Sequence, residues 1–170
     1  MEIFEVKNLR NNLKVISRKN PGIYKFCATK EIVLQIFKIL EIERERLSEL
    51  ENFLYKGTLI YVLYVGIATG QSLYERAKKH IKKNIKYSTL RMSLAAILKS
   101  KKEEELNTFI DNLFYIPKPF ELQIKSKEAK EIIEAEELKE INRYFRPLNL
   151  EGNIKKVPKL TQLRREIINS

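Results

Sequence analysis

The sequence predicts an α/β protein in which a small mixed sheet is surrounded by helices. Short stretches rich in β-branched and aromatic residues indicate strands, and longer stretches with apolar residues every three or four positions indicate helices. Their order is β, α, β, several α, β, α. With 170 residues, of which 44% are hydrophobic and 32% are charged, the chain is long enough to bury a core, and we expect a single domain over residues 1–170.

The first predicted strand covers residues 22–28 (GIYKFCA), directly after an Asn-Pro turn signal. Residues 31–54 carry apolar side chains at helical spacing, which predicts one long amphipathic helix. Its apolar positions are Ile32, Ile36, Ile39, Leu47, Leu50 and Leu54. Gly57 ends this helix, and residues 58–68 (TLIYVLYVGIA) predict a second, buried strand.

The second half of the chain predicts five further helices and one more strand. Ser72 and Ser88 are placed to cap the first two of these helices, because a serine hydroxyl can accept a hydrogen bond from a free N–H of the first turn. The predicted helices cover residues 72–84, 89–99, 103–113, 128–145 and 162–168, and the predicted strand covers residues 120–124.

The positive charge of the chain is concentrated in one segment. The net charge is +11, and residues 76–102 hold ten Lys or Arg and no Asp or Glu. Ordinary helical surfaces interleave both signs of charge. A segment of this kind instead predicts a surface for a polyanion, most simply the phosphates of DNA or RNA.

Composition also excludes several classes of protein. A single cysteine excludes an internal disulfide, and one cysteine with one histidine excludes a zinc finger, so any metal would be held by oxygen ligands and would be Mg²⁺ or Mn²⁺. The longest apolar run, residues 59–68, is too short to span a bilayer. We expect no signal peptide and no membrane association, and a cytoplasmic location.

Five short motifs in order resemble the GIY-YIG nuclease family. They are GIYKF, LYVGIA, LYERAKKH, an acidic helix and RPLN, and together they run over residues 22–149. The resemblance implies a central three-stranded antiparallel sheet flanked by helices. The two tyrosine motifs are 40 positions apart here, so the chain is expected to carry a helical insertion at about residues 29–57, and a basic C-terminal extension follows at about residues 150–170.

The resemblance implies a catalytic role for Tyr24, Tyr64, Arg76 and His80. A tyrosine hydroxyl of the first two motifs helps to activate the attacking water, and Tyr24 is preferred for this role, with Tyr64 beside it. The alternative is that both tyrosines are core aromatics with hydrogen-bonded hydroxyls. Arg76 and His80 are four apart, so they share a helix face, where Arg76 suits two phosphate oxygens and His80 can relay a proton or bond to the phosphate or to a tyrosine.

The resemblance also implies a metal-binding glutamate on the acidic helix and an asparagine in the closing turn. The candidate glutamates are Glu134, Glu136, Glu137 and Glu140. Glu137 stands twelve positions before Asn149, the spacing that the resemblance implies, and is preferred over Glu136 as the ligand of one Mg²⁺ or Mn²⁺ ion. Asn149 is expected to orient the second strand or a water.

The function predicted on these grounds is a metal-dependent endonuclease that hydrolyses DNA phosphodiester bonds, in restriction, repair or mobile-element cleavage. The residues expected to contact nucleic acid are Lys78, Lys79, Lys82, Lys83, Lys86 and Arg91. One alternative is a nucleic-acid-binding protein that has lost catalysis. Another is an interaction module, such as a homodimer formed through the helix predicted over residues 31–54.

Overall fold

A computed structural model describes residues 1–170 and contains five strands and seven α helices. The strands are β1 (Phe4–Glu5), β2 (Gly22–Thr29), β3 (Asn52–Tyr55), β4 (Thr58–Ala68) and β5 (Phe114–Pro119). The helices are α1 (Val6–Asn11), α2 (Lys30–Ile39), α3 (Leu73–Lys82), α4 (Thr89–Leu98), α5 (Glu103–Asp111), α6 (Lys127–Arg143) and α7 (Pro158–Asn169).

The strands form one antiparallel sheet in the order β1-β5-β2-β4-β3. The α/β class is confirmed. The number of strands predicted was wrong, because two short edge strands flank the three central ones. In the central pair, Tyr24 of β2 lies opposite Gly66 of β4, and Phe26 lies opposite Tyr64. The two tyrosine motifs are therefore neighbours in the sheet although 40 residues separate their tyrosines.

The single long helix predicted over residues 31–54 was wrong. Helix α2 ends at Ile39, Glu41 then adopts a left-handed conformation with φ of 56°, and a short 3-10 turn leads into β3. Lys56 and Gly57 both have positive φ and form the tight turn between β3 and β4, which is the geometry that two-residue hairpins favour. The homodimer surface was predicted on this long helix, which the structure does not contain.

The last strand was predicted a few residues too late. Strand β5 ends at Pro119, and residues 120–124 lie in the following loop. Two prolines, Pro117 and Pro119, occur inside β5. Edge strand β1 pairs only with Phe114 and Tyr115, so the outer edge of β5 is open at Pro117 and Pro119, and prolines are tolerated there.

The predicted helices of the second half are confirmed, with ends shifted by at most four residues. The hydroxyls of Ser72, Ser88 and Ser126 accept hydrogen bonds from first-turn N–H groups and fix the starts of α3, α4 and α6. No helix has both the length and the apolar character that crossing a lipid bilayer requires.

The sheet is covered on both faces. A cluster of 34 buried residues joins one face to α2, α3, α4, α5 and α7, and a smaller cluster of nine joins the other face to α6. Helix α6 contributes Ala129, Ile133 and Ile141 to that second cluster. One long helix is thus held against the back of the central strands, and its acidic side chains project beside them.

Four charged side chains form a largely buried network at the C-terminal end of α6. Lys25 of β2 lies 2.9 Å from Glu51 and 2.8 Å from Glu140, and the same two carboxylates bind the fully buried Arg146. A buried charge without a partner is costly, so each member holds the others in place. The network ties α6 and the turn that follows it to the sheet.

Removal of Glu51 tests this network. We expect Glu51→Ala to lower the free energy of unfolding by about 3 kcal/mol, because Arg146 and Lys25 would share one carboxylate inside the protein. Chemical denaturation measures the change. Glu131→Ala removes the exposed partner of Lys127 and is the matched control, which should change stability little. Equal effects of the two variants would show that the buried network does not stabilise the fold.

Candidate active site

A cavity of about 450 Å³ opens between the end of β4, α3, α6 and the C-terminal segment. Most of the residues that the tyrosine, arginine, glutamate and asparagine motifs contribute line it. Its polar side chains are Tyr64, Arg76, Thr89, Glu134, Glu137, Asn149, Glu151 and Arg164. Acidic groups from α6 therefore face cationic groups from α3 and α7 across one space.

Tyr24 lies fully buried behind this cavity, with its hydroxyl held by two residues of α3. Arg76 Nε donates to the Tyr24 oxygen at 3.1 Å, and His80 Nε2 lies 2.6 Å from the same oxygen. A Cβ added at Gly66 would stand 2.3 Å from the Tyr24 oxygen, so only glycine fits over this hydroxyl. Burial raises the pKa of Tyr24 well above its ordinary value, and Arg76 opposes part of that rise.

His80 is also fully buried, between Tyr24 and Ser88. Burial, with help from Arg76, Arg91 and Lys79, holds its pKa well below the usual range, so the imidazole is neutral. The Tyr24 oxygen accepts from Arg76, so its proton is free to be donated to His80 Nε2, and Nδ1–H then donates to the Ser88 hydroxyl. His80 therefore contacts a tyrosine, which is one of the contacts predicted for it. Because it is buried, it does not reach a phosphate at the surface.

Tyr64 forms part of the cavity wall and is 7% exposed. Its hydroxyl lies 2.7 Å from the Thr89 hydroxyl at the start of α4. Burial raises the pKa of Tyr64, which Thr89 and Arg76 lower in part and Glu137 raises. Tyr64 and not Tyr24 is therefore the tyrosine that faces the space itself.

Arg76 connects the buried tyrosine to the cavity. Its Nε donates to Tyr24 and the Tyr64 hydroxyl also interacts with the guanidinium, whereas no carboxylate forms an ion pair with its outer edge. None of its nitrogens is both buried and unsatisfied. The free edge of the guanidinium therefore remains available for an anion such as a phosphate.

Among the candidate glutamates, the structure places Glu134 and Glu137 at the cavity. Glu136 instead forms an ion pair with Lys118 at 3.0 Å, and Glu140 belongs to the buried network. Burial raises the pKa of Glu137 to about 7, with further contributions from Glu134 and Glu151, and Arg76 lowers it in part. A half-buried carboxylate that repels its acidic neighbours is a favourable ligand for a cation.

Asn149 binds the backbone of β4 as another strand would. Its amide accepts the Val65 N–H at 2.9 Å and donates to the Val65 carbonyl at 2.7 Å. Leu148 N–H also donates to the Leu63 carbonyl. Asn153 in turn donates to the carbonyls of Arg146 and Asn149. These bonds dock the turn on the second strand and bring Leu150 and Glu151 to the rim of the cavity.

Comparison with known proteins identifies the family of the chain. A family model described as the GIY-YIG catalytic domain matches residues 22–166. The chain belongs to the GIY-YIG family. No curated protein and no solved structure matched the chain. The resemblance of the motifs is thereby confirmed, and a GIY-YIG domain is a nuclease domain.

The basic segment of this GIY-YIG domain divides into exposed lysines and one buried arginine. Lys82, Lys83 and Lys86 are exposed, Lys78 and Lys79 are half-buried, and none forms an ion pair. Arg91 was predicted to contact nucleic acid, but its side chain is fully buried. It donates to the carbonyls of His80 and Ile81 in the last turn of α3, which have no donor within the helix, and to Asn107 of α5.

Sequence reasoning missed three features of the GIY-YIG site. Ser88 and Thr89 were recognised only as the start of a helix, although their hydroxyls bond to His80 and Tyr64. Gly66 was recognised as part of its motif, but the sequence did not show that its missing side chain leaves room for the Tyr24 hydroxyl. Arg164 lies in the cavity wall although it follows the last motif, and only its position on an amphipathic helix could have suggested this.

The raised pKa of Glu137 is testable by carboxyl ¹³C NMR titration. Neutralising Glu134 with Glu134→Gln removes a repelling charge, so the charged form of Glu137 is favoured and its pKa should fall below about 7. Arg76→Gln removes an attracting charge and should raise it. Glu131→Gln on the same helix is the control and should leave the titration unchanged. A Glu137 that titrates at the usual carboxyl value in the parent protein would contradict the geometry of the cavity.

Proposed function

We propose that this protein is a divalent-metal-dependent endonuclease that hydrolyses DNA phosphodiester bonds. The observation that carries the proposal is a single cavity that a half-buried Glu137 and the free guanidinium edge of Arg76 both line, with Tyr64 in its wall and Tyr24 buried behind it. Hydrolysis of a phosphodiester requires an aligned water, a group that takes its proton and positive charge on the phosphoryl oxygens. Membership of a nuclease family supports the same reaction.

Glu137 is the residue that would hold the metal ion. No group of three or more His, Cys, Asp or Glu side chains is placed to bind a metal, so a fully protein-made cage is absent. Mg²⁺ fits a site of this kind, because it binds through one or two carboxylates and completes its shell with waters and substrate phosphate oxygens. When bound, the ion supplies positive charge to the phosphoryl and leaving oxygens.

Arg76 and the buried pair Tyr24–His80 account for the remaining chemistry. The free edge of Arg76 binds two oxygens of the phosphate that is cut. Arg76 Nε must release the Tyr24 oxygen as the guanidinium binds the phosphate, because that oxygen is buried behind the cavity. The attacking water then gives its proton to the Tyr24 oxygen while the Tyr24 proton passes to neutral His80. The bond between phosphorus and the leaving oxygen breaks as the new phosphorus–oxygen bond forms, and the leaving alkoxide takes a proton from solvent.

The charge of the chain supports a nucleic-acid substrate, and DNA is proposed because the chain belongs to a nuclease family. The chain carries +11, and the exposed lysines of α3 and the following turn have no acidic partners. Such a surface attracts the phosphate backbone irrespective of sequence. The five lysines from Lys78 to Lys86 would thus hold the backbone next to the cavity in which Arg76 binds the phosphate to be cut.

Incubation of supercoiled plasmid with the protein tests the proposal. We expect nicking with Mg²⁺ or Mn²⁺ and none with a chelator. Glu137→Ala should abolish cleavage and leave DNA binding close to that of the parent. Glu136→Ala is the matched control from the neighbouring position, and it should cut like the parent because its carboxylate faces Lys118. Cleavage by Glu137→Ala at the parental rate would contradict the assignment of the metal ligand.

The buried tyrosines provide a second test of the proposed chemistry. Tyr24→Phe keeps the ring and removes the proton acceptor, so the protein should remain folded and lose about 10² to 10⁴-fold in single-turnover cleavage rate. Tyr64→Phe should lose less. Tyr115→Phe is the control, because its buried ring stacks on Tyr24 while its hydroxyl has no hydrogen-bond partner. If Tyr24→Phe and Tyr115→Phe cut equally well, Tyr24 takes no part in the reaction.

A further inference from the structure

Helix α7 brings an arginine from the basic C-terminal extension into the wall of the cavity. Its apolar face is fixed in the main core by Leu160, Leu163 and Ile167, and Val157 directly before the helix joins the same core. Arg164 follows Leu160 by about one turn, and its half-buried side chain lines the same cavity as Tyr64, Arg76 and Glu137. Because the helix is anchored by buried side chains, the position of Arg164 is set by the fold.

The guanidinium of Arg164 has no partner within the protein. No carboxylate lies within ion-pair distance of it and no hydrogen bond engages its nitrogens, whereas Arg10 and Arg46 bind Asp111 and Glu49. A half-buried arginine that points into a cavity without a counter-ion has its five donors free. The planar fork of a guanidinium matches the oxygens of a phosphate.

Arg164 and Arg76 line the same cavity, but their guanidinium groups are engaged differently. Arg76 donates its Nε to the Tyr24 oxygen, whereas no hydrogen bond or ion pair engages Arg164. The two arginines come from different elements, α3 and α7. One phosphate next to Glu137 therefore leaves Arg164 available for another.

We propose that Arg164 binds a DNA phosphate adjacent to the one that is cut. This site rests on the proposed nuclease function of the same cavity and adds a second phosphate-binding position, supplied by the C-terminal extension. A contact of this kind holds the backbone in register across the cavity. It contributes to binding of the ground state and the transition state alike, so its loss raises the concentration of DNA needed and leaves the saturated rate unchanged.

The test compares Arg164→Ala with Arg165→Ala, a neighbouring exposed arginine outside the cavity wall. Both variants lose one positive charge, so any difference between them reports position. Equilibrium binding to a short duplex is measured in chelator at several salt concentrations, and single-turnover cleavage with Mn²⁺ is measured at saturating DNA. Melting temperatures check the fold, and Arg164→Gln replaces the alanine variant if that variant melts earlier than the parent.

We expect Arg164→Ala to weaken binding roughly ten-fold and to reduce the slope of log affinity against log salt by about 0.9, the loss of one phosphate contact. Its cleavage rate at saturating DNA should match the parent, and Arg165→Ala should change binding less. Equal affinities and slopes for the two variants would overturn the inference. So would a lower saturated rate with unchanged binding, which would place Arg164 at the cut phosphate. A parent that binds but does not cut DNA would overturn the proposed function, and the binding comparison would still test Arg164.

Discussion

The buried hydroxyl of Tyr24 is the constraint on which the arrangement of this site depends. A polar group removed from water must find partners inside the protein, and this one finds Arg76 and His80. Both partners come from one face of α3, so that helix can lie only at one distance and rotation from β2. The neighbouring strand must also provide Gly66, because any side chain there would occupy the place of the hydroxyl. The contacts of this one oxygen atom thus constrain how β2, β4 and α3 pack together.

The opposite wall of the cavity is fixed by the same physical rule applied to charge. Arg146 is fully buried. Its charge and that of Lys25 are tolerated because the carboxylates of Glu51 and Glu140 neutralise both of them. Glu140 is on the helix that carries Glu137, so the network holds the candidate metal ligand at a defined height above the sheet. Polar anchors on both sides therefore set the separation between the acidic and cationic walls, which a hydrophobic core alone would specify less sharply.

Local patterns predicted the parts of this structure that depend on local chemistry. Serine caps fixed the helix starts, and apolar runs identified β2 and β4. The prediction of one long helix over residues 31–54 was wrong. Apolar residues recur on both sides of Glu41, but the left-handed backbone of Glu41 interrupts the helix. The prediction that Arg91 contacts nucleic acid was wrong for a related reason, because a run of positively charged residues does not show which of their side chains is buried. The position of Arg164 depends on how α7 packs against helices that are distant in sequence, and a short motif does not predict such packing.

Anomalous diffraction from crystals of the protein soaked in Mn²⁺ locates a bound metal ion without relying on activity. We expect one strong peak in the cavity, at coordination distance from a carboxylate oxygen of Glu137 and facing the free edge of Arg76, with the remaining ligands supplied by solvent. A peak bound mainly by Glu136, or strong peaks only outside the cavity, would contradict this expectation.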